Sequence, residues 1–442
     1  MGCGTLRCAA GLRIASARPT HHTPRSCHAR RTRPGLRSPM LNPSMKRLSV
    51  LIAVSTVDMM GLMMVAPLMP FYALRFNAAE WMVGPLISAF AMAQLIASPV
   101  WGRVSDRRGR RPALLICLGT AGAAFLIFGF ATSLWMLFVS RIVQGLGGGM
   151  TAVAQAYVAD TMVPSERAKA LGWLSAGSSA GVVLGPFIGS FAARWGPAAP
   201  GLMAAGVMAV NFLAAWHWLP ESKSARPSGA QAEEPHRQRG VARAVWEIVR
   251  HPSRPVHRVI WIYCVGMLAL NALIGVLALY LKDGFSVTEK SIGYFFAVFG
   301  VVGVLMRATL VGYVNDRLGE VRTMRLGAAL LAIGLALMPL PRMLPLFVVC
   351  LALTPMGTAL LFPASTALVS HRTDRRETGL VLGAQQTLRG IMSIIGPIGA
   401  TVAYATLGHG VPFVLASATV AVALFLAARE PHEVPDPATI RA

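Results

Sequence analysis

Of the 18 acidic residues in this chain, Asp58 alone lies deep within an apolar stretch, SVLIAVSTVDMMGLMMVAPLMPFYAL. A carboxylate at bilayer depth is costly, so it normally faces a bundle interior or a wet cavity and marks a proton or ion route. Eleven residues separate it from Arg47, which at about 1.5 Å of helical rise each puts it roughly 16 Å deep. That is near the centre of a hydrocarbon core about 30 Å thick. A carboxyl group there is suited to taking up and releasing a proton; the alternative is a permanently paired structural Asp. Arg141 and Arg389 are the counter-charges on offer. Arg389, in GAQQTLRGIMSIIGP, makes a polar turn with Gln385 and Gln386 and suits an anionic substrate, Asp58 or a structural role. Gln144 and Asn271 are further pocket-lining candidates. Gln94 and Asn211 read as lone amides that bond a neighbouring helix, and Arg307 as a snorkelling side chain.

The second chemical signal is GRVSDRRGRRP, which begins at Gly102. Gly102 and Gly109 let helix ends and loop come close. Asp106 can cap the next helix or pair with Arg110, and Arg107 adds to the basic cluster. The pattern returns as GYVNDRLG, with Asp316 and Arg317, at an offset of 210 residues. Gly185-Pro186 returns as Gly396-Pro397, Gly172 as Gly383 and Glu166 as Glu377, each 211 residues on. Repeated halves with a site at their interface are the architecture of secondary transporters.

The elements that must position these groups are membrane spans. The chain is 55% hydrophobic and 13% charged, against roughly 25% charged in an ordinary soluble protein. Apolar runs long enough to cross a bilayer alternate with short charged links, which gives an all-α membrane protein of twelve helices in two pseudo-symmetric six-helix bundles. The spans read 48–73, 83–102, 112–131, 135–158, 170–193, 199–219, 259–281, 291–314, 323–341, 345–368, 379–405 and 410–428. Most of the 41 Lys and Arg fall in links assigned to the cytoplasm. The net charge of +23 is therefore a topology signal rather than a nucleic-acid patch, and both termini are cytoplasmic. Residues 1–45 form a basic extension, read either as a transit peptide or as a start placed too early, and expected to be disordered. Residues 46–219 and 259–429 are the two bundles. Residues 220–258 are a central loop in which VARAVWEIVR is an amphipathic interfacial helix, and 430–442 a tail. The cysteines give neither a disulfide framework nor a metal site.

GRVSDRRGRR resembles the cytoplasmic loop motif of the major facilitator superfamily. Three further stretches support the resemblance. Leu137-Phe-Val-Ser-Arg141-Ile-Val-Gln144-Gly145-Leu-Gly147 is similar to the family's fourth-span motif. Gly172, Gly181, Gly185-Pro186 and Gly189 are similar to the antiporters' fifth-span motif, with Ser190 where its final Gly belongs. Asp58-Met-Met-Gly61 with Pro67 and Pro70 is similar to the first-span motif of the twelve-span drug:proton antiporters, the tetracycline and multidrug exporters among them. The resemblance covers about residues 46–428. It implies that Asp106 and Arg110 with Asp160 form a charge cluster holding the halves together when the pocket faces out. It ties Arg141, about 12 Å below the outer surface by helical rise, to proton movement. It also implies that the fifth-span glycines seal the transporter against leakage.

These features point to a proton-coupled exporter of small amphipathic compounds, a monomer in the cell (inner) membrane whose partners are substrate, protons and lipid. No cofactor, metal or nucleic acid is needed. The spans hold no paired carboxylates, ligand cluster or Ser/His/Asp set for enzymatic hydrolysis. The rivals are an importer or uniporter of a sugar or metabolite, since Leu219-Pro220-Glu221-Ser222 resembles part of a sugar-porter motif, and a non-transporting receptor or scaffold.

Overall fold

A computed structural model describes residues 43–222, 234–374 and 377–428. The N-terminal extension, the C-terminal tail and part of the central loop lie outside the described residues. The helices are α1 (Pro43–Val65), α2 (Met69–Arg75), α3 (Val83–Arg108), α4 (Arg110–Gly129), α5 (Leu134–Leu146), α6 (Met150–Thr161), α7 (Pro164–Ala192), α8 (Ala199–Trp218), α9 (Glu234–Arg250), α10 (Pro255–Phe285), α11 (Ile292–Leu305), α12 (Val311–Leu337), α13 (Leu344–His371), α14 (Thr378–Leu407) and α15 (Val411–Ala428). Among the described residues, ten helical stretches are long and apolar enough to cross a membrane, and Val411–Phe425 is a shorter apolar one. The longest stretch, Ile292–Leu337, runs through a π turn at Met306–Leu310 and breaks at Gly319, where φ is 75°. Only glycine takes that backbone without strain. The central helix α9 is longer than the sequence suggests, and its Gly240 and Val241 pack on Leu380 and Gly383 of α14.

The sequence also suggests one continuous fourth span. The structure breaks it between α5 and α6 at Gly147-Gly148-Gly149. A Cβ at these positions would strike Thr120, Gln94 and Trp101 respectively, so the three glycines let α3 and α4 close on bare backbone. Irregular backbone at membrane depth is tolerated where it is buried in protein or lines a cavity.

The halves meet at the end opposite the Arg-rich links. There Arg75 Nη2 pairs with Glu289 at 2.9 Å, and Ser88 Oγ donates to Ile394 O at 2.7 Å. Phe187 meets the Tyr294 ring edge-on at 5.6 Å. Ser190 Oγ accepts the Gly293 N–H at 2.7 Å, supplying one of the partners that a helix N-terminus lacks. Ser190, the departure from the glycine pattern, is thus a contact between the halves. Further along, Gly300 packs on Val183 and Gly390 on Leu95. Beyond those contacts α7 is exposed from Val163 to Lys169 and α12 from Arg317 to Gly319. Among the described residues, the contacts between the halves named above lie toward the end opposite the Arg-rich links.

Candidate functional site

The rotational setting of α1 comes from α7. A Cβ at Gly181, Gly185 or Gly189 would overlap the backbone oxygens of Thr56, Met60 and Met64. Small residues at four-residue spacing bring two membrane helices to backbone contact. Asp58 stands two residues from both Thr56 and Met60, about 200° around a helix of 100° per residue. Its side chain therefore points away from α7 into the first bundle. Asn211 of α8 secures the same helix one turn earlier, donating to Val54 O at 3.0 Å.

Asp58 opens onto a small cavity shared with Phe90 and Gln94 of α3, Phe125 of α4, Gln144 of α5, the Gly147-Gly148 break and Thr151 of α6. Its volume is ≈ 30 Å³, and a water needs roughly 10–15 Å³, so about two waters fit. Among the described residues no hydrogen bond or ion pair holds the Asp58 carboxyl. A permanently paired structural Asp is not what the structure contains. Gln144 Oε1 is buried with no hydrogen-bond partner, and a neutral carboxyl or a water in this cavity can donate to it. The cavity lining belongs wholly to the first half rather than to the interface between the halves.

Arg141 is 3% exposed, and its Nε and Nη2 atoms have no partner. It makes no ion pair with Asp58. A buried donor left unmet costs about 1–3 kcal/mol, so these two Arg141 atoms are free to take a water or another acceptor.

At the Arg-rich end, Arg110 pairs with Asp106 at 2.6 Å and with Asp160 at 2.9 Å, and its Nη1 donates to Ser105 Oγ at 2.7 Å. All these partners lie in the first half, joining the ends of α3, α4 and α6. Arg107 is exposed. Glu221 completes the cluster: its Oε1 accepts the backbone N–H groups of Arg110 at 2.9 Å and Arg111 at 3.3 Å. Gly109 has φ 99°, and a Cβ there would lie 2.9 Å from the Glu221 carboxyl. Leu219-Pro220-Glu221-Ser222 thus caps the N-terminus of α4, and Tyr157 Oη fastens it by donating to Pro220 O at 2.7 Å. Glu221→Ala is expected to lower stability by about 0.5–2 kcal/mol, the usual range for a lost cap. Glu221→Gln keeps an acceptor and recovers most of it. Thermal unfolding in detergent measures both. In the corresponding link of the second half Asp316 is exposed, Arg317 stacks on Tyr313 at 4.4 Å, and His371 pairs with Glu320 at 3.1 Å.

The family model of the Major Facilitator Superfamily matches residues 51–397 and 259–442. The chain belongs to that superfamily. It is a membrane transporter, not an enzyme. It is 29% identical over 367 residues to the class B tetracycline resistance protein of Escherichia coli, across 82% of this chain and 89% of that one. It is 30% identical over 358 residues to multidrug resistance protein 2 of Bacillus subtilis, across 79% and 86%. Its fold superposes on the nucleoside transporter NupG with a TM-score of 0.71 at 12% identity, covering 88% and 99%. It superposes on the human organic anion transporter MFSD10 (TETRAN) with a TM-score of 0.64 at 20% identity, covering 87% and 100%.

Within this superfamily fold the remaining candidates fall in separate places. Gly181, Gly185 and Gly189 pack on α1 and Pro186 on α11, whereas Gly102 and Gly172 have open space around them. Asn271 donates to Met267 O at 2.8 Å and packs on Gly396, so it serves the α10–α14 contact. Gln385 is 1% exposed and reaches Thr366 Oγ1 at 3.4 Å. Arg389 and its neighbour Gln386 are exposed. Arg389 is not a counter-charge for Asp58. Gln94, read from the sequence as a bonding amide, donates to Gly148 O at 3.1 Å and lines the Asp58 cavity as well. Thr151 carried no motif that would have marked it, and Glu221 only the partial motif Leu219-Pro220-Glu221-Ser222, which gives no hint of its capping role. Larger furrows, ≈ 630 Å³ between α4 and α8 and ≈ 530 Å³ between α1 and α8, are apolar grooves on the flank and hold neither Asp58 nor Arg389. Glu80, Asp283 and His409 bring ligand atoms within 4.8 Å of one another at the closed end, but Asp283 already accepts the Tyr404 hydroxyl at 2.7 Å, and nothing beyond their proximity assigns them a metal.

Proposed function

We propose that this transporter is a proton-coupled exporter of small amphipathic compounds, working by alternating access as a twelve-span monomer of two pseudo-symmetric bundles, residues 46–219 and 259–429. The break at Gly319 divides Ile292–Leu337 into two spans, and Val411–Phe425 completes the twelve. The Arg-rich face, with both termini, is cytoplasmic in the cell (inner) membrane by the positive-inside rule, so the contacts between the halves lie on the outer side and a substrate cleft would open inward. The observation that carries the reading is the unpaired Asp58 carboxyl on its water-sized cavity. Protonation of Asp58 is linked to substrate release, and an inward proton gradient then drives outward transport.

Outward direction is supported by the glycine stripe of α7 and by relatives that are tetracycline and multidrug resistance proteins. The cap formed by Glu221 would serve importers and exporters alike and does not favour a sugar porter. The test is reconstitution into vesicles with an imposed pH gradient and a fluorescent amphipathic dye. Export predicts dye movement against the direction of proton flow, collapsing with a protonophore. Dye moving with the protons points to the importer, and gradient-independent equilibration to a uniporter. Growth of an efflux-deficient host on a panel of toxic compounds then identifies the substrate.

A further inference from the structure

Arg389 lies eleven residues into α14, about 16 Å from its Arg-rich end by helical rise. A cation at that depth is expensive unless it is paired or wet. Its recorded partner is weak: Nη1 donates to Gln386 Oε1 at 3.3 Å, and it makes no ion pair among the described residues. Its direction follows from the helix. Ile395 and Val402 are 50% and 41% exposed and mark the lipid side of α14. Arg389, Gln386 and Ser393 lie about 120–180° around from them at 100° per residue. On one flank Gln385 touches Thr366 of α13; on the other Gly390 packs on Leu95 of α3. The polar face is therefore turned toward the first half of the chain, at the depth where Gly390 meets Leu95.

We propose that Arg389 and Gln386 form an oxyanion subsite between the halves, taking the carboxylate, sulfonate or phosphate head of an amphipathic substrate. The assignment rests on the transport reading and narrows its substrate class. The guanidinium presents paired N–H groups in the plane that an oxyanion accepts bidentately. Gln386 holds it loosely, by one long bond that an anion can displace. Asp58 does not compete for it, being enclosed in the first bundle. A site whose deep charge is a cation favours anions, and a low-dielectric wall strengthens that preference.

The experiment is calorimetric titration of the purified protein with 1-naphthoate and 1-naphthalenesulfonate against the neutral isostere 1-naphthamide. The wild type is expected to bind the two anions at least tenfold more tightly than the amide. Arg389→Gln is expected to remove that preference, with an unchanged thermal unfolding midpoint in detergent reporting that the variant is folded. Arg389→Lys should restore part of it. Equal wild-type binding of anions and amide, or anion binding unchanged in Arg389→Gln, overturns the subsite. Proton-driven efflux of ethidium, measured in parallel, separates the two readings. Ethidium efflux without anion preference sinks the subsite alone; anion preference with no gradient-driven flux of any probe upholds the subsite and sinks proton-coupled export.

Discussion

Replacing Asp58 with Asn is expected to abolish gradient-driven efflux while the protein still inserts and folds. Asn matches Asp in size but cannot exchange a proton. Because nothing holds the Asp58 carboxyl, the substitution breaks no ion pair and strands no partner; a neutral amide is also easier to bury than a carboxylate. Folding stability should hold or rise, which separates lost coupling from lost structure. Substrate-for-substrate exchange across vesicles needs no net proton movement and is expected to survive, at least in part. The pair of assays therefore reads one outcome: gradient-driven flux at background, exchange retained. Wild-type efflux from Asp58→Asn would refute the proton site. A receptor or scaffold on the same fold predicts that the substitution is silent in every assay, signalling included.

Much of the molecule was legible because membrane burial forces it to be. Twenty-residue apolar runs and Arg-rich links have few other readings, and the depth of Asp58 follows from helical rise alone. The glycines of α7 could be read as a packing stripe, since no side chain is the signal. What periodicity could not give was the partner of each face. Asp58 was expected to face a bundle interior or a wet cavity, with no sign of which helices would line it; its cavity is built by α1 and α3 to α6. Only the packing of α7 on Thr56, Met60 and Met64 reveals which way α1 is turned. The break at Gly147-Gly148-Gly149 was hidden because hydropathy averages over it. Glu221 looked like part of a loop motif, and its capping of α4 needs two segments more than a hundred residues apart. Ser190 was expected merely to preserve close packing; that its hydroxyl would bond α11 depends on the other half of the chain.

The closed end is where a side chain added at one glycine should decide the balance between states. Gly293 sits in the first turn of α11 with its Cα against Pro186 and Ser190 of α7, and a Cβ there would overlap the Pro186 backbone oxygen. A flexible side chain could yield; a backbone carbonyl on a Pro-bearing helix already fixed to α1 cannot. Gly293→Leu is therefore expected to hold this end open. Overpacking costs about 1–3 kcal/mol, enough to shift a two-state equilibrium by roughly 5- to 150-fold at 1.4 kcal/mol per decade. The measurement is cross-linking, by a thiol-reactive bis-maleimide, of cysteines placed at Arg75 and Glu289, whose side-chain ends meet at 2.9 Å, after all six native cysteines are replaced. The cross-link should form readily on the otherwise wild-type background and fall at least fivefold with Gly293→Leu, with efflux falling alongside because the transporter no longer cycles. Gly293→Ala should lie between. Ser190→Ala loses the 2.7 Å bond to the Gly293 N–H but adds no bulk, so it should weaken closure by about 1 kcal/mol without preventing it. Unchanged cross-linking in Gly293→Leu would mean that the halves part along another contact, and that this glycine is not what sets the closed end.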